Sequence, residues 1–140
     1  MKFRDYFSLR QILFSIAIVL LVILFAIIEN NNRIKVTFYE SDFLVKADHY
    51  SIRVSYSEIE TVSFTDLAEA GEEIADGSDD GLLRTGNWRN DIWGEYYICA
   101  DSEISKCIVL KLTDGQTYVF SRKDDKTTEA LYQELLIHLN

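Results

Sequence analysis

The chain has 140 residues and a formal net charge of −9, and from Glu29 onward it holds 11 Lys and Arg against 22 Asp and Glu, a net of −11. That balance argues against nucleic-acid binding, which needs basic clusters for phosphates, and against adhesion to anionic lipid headgroups through charge. Two cysteines and two histidines leave a zinc site short of ligands, and the length allows one small domain beyond any membrane segment.

Taken in order, Met1–Gln11 places Phe3, Tyr6 and Phe7 among charges. Rings interleaved with Lys and Arg suit the headgroup region of a bilayer; an ordinary polar tail reads the same way. Ile12–Ile28 carries no charge, and Ser15 is its only polar residue. With Leu9 and Gln11 as a frayed first turn it is roughly 18–20 residues, about 27–30 Å as a helix, which matches a bilayer core. A single membrane-spanning helix is therefore expected over 12–28. A cleaved signal peptide ends in small residues. This run ends Phe25-Ala-Ile-Ile28 followed by Glu29 and three Asn, so the expectation is an uncleaved signal-anchor. Lys2, Arg4 and Arg10 precede the helix; Arg33 and Lys35 follow it. That bias puts the amino terminus in the cytoplasm and the domain on the outer side of the cell membrane. Residues 29–33 read as a short polar linker.

The domain, 34–140, opens with β-branched and aromatic residues. Ile34, Val36 and Phe38 alternate with Lys35, Thr37 and Tyr39, as in a half-buried strand. Glu40-Ser41-Asp42 is a turn. Phe43–Lys46 and Tyr50–Val54 read as further strands, interrupted at Ala47-Asp48-His49. Tyr56–Val62 reads as a turn feeding a strand that brings Ile59, Val62 and Phe64.

Composition then shifts. Residues 66–81 hold Asp66, Glu69, Glu72, Glu73, Asp76, Asp79 and Asp80 with three glycines. So much like charge with so much glycine predicts a solvated loop, with at most a frayed helical turn near Leu67–Ile74. Within it, Asp76-x-Ser78-x-Asp80-Gly81 has the opening of a calcium loop, and Leu83 falls at the apolar eighth position. The twelfth, where a bidentate Glu closes such sites, is Asn87. No metal centre is expected; Asp76, Ser78 and Asp80 are the one set of candidate cation ligands.

In Leu82–Tyr97 the glycines predict a tight bend and a close backbone approach, and Trp88 and Trp93 are read as packing residues. If Asp101–Ser105 is the loop of a hairpin, Cys99 faces Cys107, Tyr97 faces Val109 and Glu95 faces Lys111. Cys99 and Cys107 are then a candidate disulfide in an outward-facing domain, or two small apolar residues packed side by side and reduced. At Thr113-Asp114-Gly115 the hydrophobic pattern selects a three-residue loop with Gly115 left-handed. That loop sets Tyr118 and Phe120 against Leu110 and Ile108. The chain ends in a helix capped by Thr127 or Thr128, with Leu131, Tyr132, Leu135 and Leu139 as its apolar stripe.

Strands closed by one amphipathic helix describe a plugged sandwich or open barrel. From Leu82 to Leu139 the chain also resembles bacterial pleckstrin-homology-like domains. The matching pieces are Arg84-Thr-Gly86, Gly94 before an aromatic pair, the hairpin, Lys111-Leu-Thr-Asp114-Gly115-Gln-Thr-Tyr118 and the final helix. The resemblance implies a mainly β fold of about seven antiparallel strands in two packed sheets with the helix across one corner. Many such domains sit beside transmembrane helices. Some pleckstrin-homology domains hold phosphoinositide headgroups with basic residues in an early hairpin loop; here that loop is Glu40-Ser41-Asp42, and no binding residues carry over.

The sequence has no G-x-S-x-G, no H-E-x-x-H and no phosphate-cradling glycine loop. His49 and His138 have no evident partners, so neither catalysis nor a cofactor is expected. Two functions remain. One is a membrane-tethered interaction module that docks a protein partner or a second copy of itself. The other is an extracytoplasmic sensor of a cation or small ligand using the acidic segment.

Overall fold

The computed structural model describes residues 3–31, 33–47 and 49–140. Met1 and Lys2 of the expected tail, Asn32 of the linker and Asp48 of the second turn lie outside the described residues, as do the side chains of Phe3, Tyr6 and Phe7. The chain forms two compact units that divide between Asn32 and Arg33.

The first unit is one helix, α1, Phe3–Asn31. Helix thus replaces coil over most of the expected tail and over Asn30 and Asn31 of the expected linker. Ser8–Ile28 is 21 residues, its most apolar 18-residue window has mean hydropathy 3.1, and none of that window is buried. The Ser15 hydroxyl donates to the Gln11 carbonyl at 2.9 Å, which satisfies the one polar side chain of the apolar core locally. This is the length and composition a membrane span requires; a signal sequence near an amino terminus has the same features.

The second unit is mainly β. β1 (Ile34–Phe38), β2 (Asp42–Ala47) and β3 (Tyr50–Ser55) form an antiparallel three-stranded sheet in chain order. Its inward positions are Ile34, Phe43, Val45, Ala47, Ile52 and Val54, all buried. Burial of each larger aliphatic or aromatic side chain contributes about 1.5–3 kcal/mol relative to exposure.

A 3-10 turn at Tyr56–Glu58 feeds the second sheet. Its strands are β4 (Ile59–Asp66), β5 (Glu72–Asp79), β6 (Leu83–Asn90), β7 (Gly94–Asp101), β8 (Lys106–Leu112) and β9 (Thr117–Phe120). Their order across the sheet is β4-β8-β9-β7-β6-β5. One face packs on the three-stranded sheet and the terminal helix through Leu83, Cys99, Ile108, Leu110, Leu112 and Phe120. The other carries Tyr96, Ile98, Ala100, Cys107, Val109 and Val119, with Leu67, Trp88 and Trp93 against them. The packing role expected of both tryptophans is what they have.

β4 and β5 lie at opposite edges, so the connection after Asp66 must cross the second face. Its backbone is held there by side chains. Arg84 donates to the Ala68 carbonyl at 3.4 Å, Asn90 to that of Glu69 at 3.0 Å and Tyr96 to that of Ala70 at 2.6 Å. The solvated loop expected over 66–81 is therefore a strap followed by an edge strand. Its charges fit because an edge strand keeps its outer side in water.

The three-residue loop at Thr113–Gly115 is as expected: Gly115 has φ +89, Leu110 pairs with Tyr118 and Ile108 with Phe120. The β7–β8 hairpin is not. β9 lies between them, antiparallel to β8 and parallel to β7. The loop 102–105 therefore steps over one strand. Among the described residues the unit has nine strands with one parallel pair, rather than about seven that are all antiparallel.

α2 is Asp125–Leu139. Its cap is Asp124, not Thr127 or Thr128: the Asp124 carboxylate accepts from the Thr127 backbone at 2.7 Å. Thr128 is buried, donating to the Asp124 carbonyl at 2.6 Å and accepting from the Arg122 backbone at 3.0 Å. Leu131 and Leu135 are buried and Tyr132 and Leu139 partly so, the stripe the spacing predicted. Near the helix end, His138 stacks on Phe38 at 4.4 Å.

Candidate functional site

β5 does not run in plain register along β6. Ala75 pairs with Asn87 and Ser78 with Thr85, so Asp76 and Gly77 together oppose Gly86. Two residues facing one is a β-bulge, and bulges re-aim side chains. Asp76 takes φ +53 here, a left-handed conformation that Asp tolerates better than most residues. Gly86 has φ +101, and a Cβ on it would overlap the Asp76 carbonyl and the Gly77 Cα. This is the close backbone approach the glycine pattern predicts.

The bulge opens a pocket of about 510 Å³. Asp76, Gly77, Ser78 and Asp80 form one wall, Leu83 and Thr85 of β6 the second, and Ala47, His49 and Tyr50 at the β2–β3 turn the third. The volume lies in the range of small-molecule sites. The structure thus brings Asp76, Ser78 and Asp80 to one place, but as a pocket wall rather than a calcium loop. Among the described residues no three His, Cys, Asp or Glu are grouped to hold a metal ion. One Asp80 carboxylate oxygen accepts from the Leu82 and Leu83 backbones at 2.9 Å each. Those two N–H groups hold its carboxyl below the usual carboxylate range. Asp79 is turned away, paired with Arg84 at 3.1 Å.

Several lining side chains have no partner of their own. Thr85 is 8% exposed, and its hydroxyl makes no hydrogen bond among the described residues. The same holds for the hydroxyls of Tyr50 and Ser78, the Asp76 carboxylate and the His49 ring. Thr85 is buried as a residue, but its hydroxyl is not sealed from solvent, and the pocket is the space it faces. Burial raises the Tyr50 phenol well above its ordinary range, and nearby Cys99, Tyr118, Tyr97 and Asp76 add to the effect; Tyr50 stays a neutral donor and acceptor. Two positions along β6, the Asn87 Oδ1 is buried with no partner among the described residues, while its Nδ2 donates to Glu95 at 2.9 Å.

Tyr50, Thr85 and His49 escape the sequence reading. The signal for Thr85 is a hydroxyl on the inward face of β6, between apolar Leu83 and Asn87, whose partner on β7 is Tyr97; it shows only once the register is known.

The candidate disulfide is not formed. Cys99 lies on the face toward the small sheet, Cys107 on the opposite face, with β9 between their strands. Both are free and buried, and burial pushes both thiols up to about 12. At the first hairpin turn, Arg53 is held by Asp42 at 3.0 Å and lies over the Tyr39 ring at 5.2 Å. Comparison of the chain with family models, curated proteins and solved structures finds no match to any of the three.

Proposed function

We propose that this protein is a membrane-tethered, non-catalytic binding module whose β domain holds a small ligand in the pocket between β5, β6 and the β2–β3 turn. The observation that carries the reading is the Thr85 hydroxyl, which faces that pocket and makes no hydrogen bond among the described residues. α1 supplies the tether. The outward orientation rests on the charge bias across the helix alone, since the cysteines form no bridge to support it. The absence of catalysis is supported by the buried, protonated thiols and by the stacking of His138 on Phe38. Poor affinity for anionic lipid is supported by the net charge and by the engagement of Arg53 with Asp42. The terminal helix on a β unit supports the pleckstrin-homology-like reading; the parallel β7–β9 pair counts against it, and the pocket does not depend on it.

The test is a thermal-shift screen of full-length protein in nanodiscs against small molecules of all charge types. Hits should be lost in Ser78→Tyr, which fills the pocket mouth from an exposed strand position. A screen without hits, or hits indifferent to that substitution, overturns the proposal.

Docking of a protein partner or a second copy is supported by one feature. β4 is an edge, and its run Thr61–Thr65 is uncharged, unlike the bulged acidic edge β5. Such an edge accepts an added strand. Ser63→Pro would block pairing there, and capture of a partner unaffected by it removes this reading.

A further inference from the structure

The pocket's chemistry selects among ligand classes. Resting on the small-ligand reading above, we infer that the occupant is a small organic cation carrying a primary ammonium group on a short hydrocarbon frame.

Charge excludes an anion. Asp76 and Asp80 line the pocket and no Lys or Arg does. Asp80 is held ionised by the Leu83 and Leu82 N–H groups and then by the charge of Arg33, which does not line the pocket, and among the described residues no side chain pairs with the Asp76 carboxylate. A carboxylate or phosphate placed here would meet like charge with no compensating donor pair.

A bare divalent ion fits poorly. No grouping of three ligating side chains exists among the described residues, and one Asp80 oxygen is committed to two backbone N–H groups. Calcium needs six to eight oxygens at short range.

An alkylammonium fits the remaining features. Its N–H groups need about three acceptors, and Asp76, Ser78 and Thr85 offer one charged and two neutral ones. Ser78 and Thr85 are cross-strand partners, so their hydroxyls share one patch of wall. Hydrogen bonds between a cation and a carboxylate are the stronger kind. The hydrocarbon frame meets Ala47, Leu83 and the ring of Tyr50, and a volume of about 510 Å³ exceeds what an ion alone needs.

The experiment is calorimetric titration of full-length protein in nanodiscs with 1,4-diaminobutane, butylamine, butan-1-ol, butyrate and calcium chloride. The amines should bind at least about tenfold tighter than the neutral and anionic isosteres, the factor that one charge-assisted hydrogen bond supplies. Asp76→Asn should weaken amine binding about tenfold or more; Asn also tolerates the left-handed backbone there, so the bulge survives. Thr85→Val keeps the β-branched shape and should weaken binding without lowering the melting temperature. Butanol or butyrate binding as tightly as the amines, with sensitivity to Ser78→Tyr, would overturn the amine assignment and leave the pocket reading standing. Calcium binding with the amines silent overturns it, as does silence from every probe or amine binding unchanged by Asp76→Asn.

Discussion

The carbonyl of Asp76 lies over the Cα of Gly86, in the space a side chain would need. This contact fixes the β5 bulge and with it the pocket wall. Gly86→Ala must either expel Asp76 or force a left-handed alanine. A destabilisation of about 1–3 kcal/mol is expected, with loss of whatever the pocket binds. Chemical denaturation and the screen above read the two effects separately.

Leu135 is 1% exposed under α2, whereas Ile137 two residues on is 75% exposed. Leu135→Ala should cost about 2–5 kcal/mol, and Ile137→Ala should stay within about 0.5 kcal/mol of wild type. Equal denaturation midpoints for the two variants would mean that α2 is not docked.

Much of this was legible in residue spacing, and the failures share a cause. The Thr113–Gly115 loop was readable because only one loop length puts Tyr118 and Phe120 in the core. The α2 stripe was readable for the same reason of period. β5 was not, because its stability comes from pairing with β6, and like charge with glycine hides that partner. The Cys99–Cys107 register failed because a local hairpin and a four-residue step over β9 leave the same alternation in β7 and β8. The pocket depends on the first of these errors being corrected, since Thr85 meets Ser78 only through the β5–β6 pairing.

The cysteines give a direct check on that topology. Both thiols are buried and pushed up to about 12, and only the thiolate reacts readily. Native protein should therefore show almost no reaction with a thiol reagent at pH 8, and denatured protein should show two free thiols. A bridge between Cys99 and Cys107 in native protein would require a different strand order.

Asp125 ties α2 to the β7–β8 loop. Its carboxylate accepts from the Ser105 hydroxyl and from the Ser105 and Lys106 backbones, the latter two at 2.9 Å. The Ser105 hydroxyl, then these N–H groups, lower its pKa in the folded state. A carboxyl with a lower folded than unfolded pKa stabilises fully above the unfolded value, about 3.9. That contribution is lost as pH falls through the folded value. Asp125→Asn should melt below wild type at pH 6, and the two curves should converge as pH falls through the lowered folded-state pKa of Asp125. A constant gap would show that the charge of Asp125 is not what holds the loop.

The strap over the second face should open separately from the core. Tyr96 is fully buried, edge-on to Trp93 at 5.0 Å, and its hydroxyl donates to the Ala70 carbonyl at 2.6 Å. Tyr96→Phe keeps the ring and removes the donor, which leaves that carbonyl to find another partner. The expected cost is about 1–3 kcal/mol. Because residues 67–71 are held chiefly by Arg84, Asn90 and Tyr96 through backbone carbonyls, the loss should appear first there. Hydrogen exchange should speed up over Leu67–Gly71 and into β5 while α2 and β8 keep their protection. Uniform acceleration across the domain would mean that the strap and the core unfold as one unit.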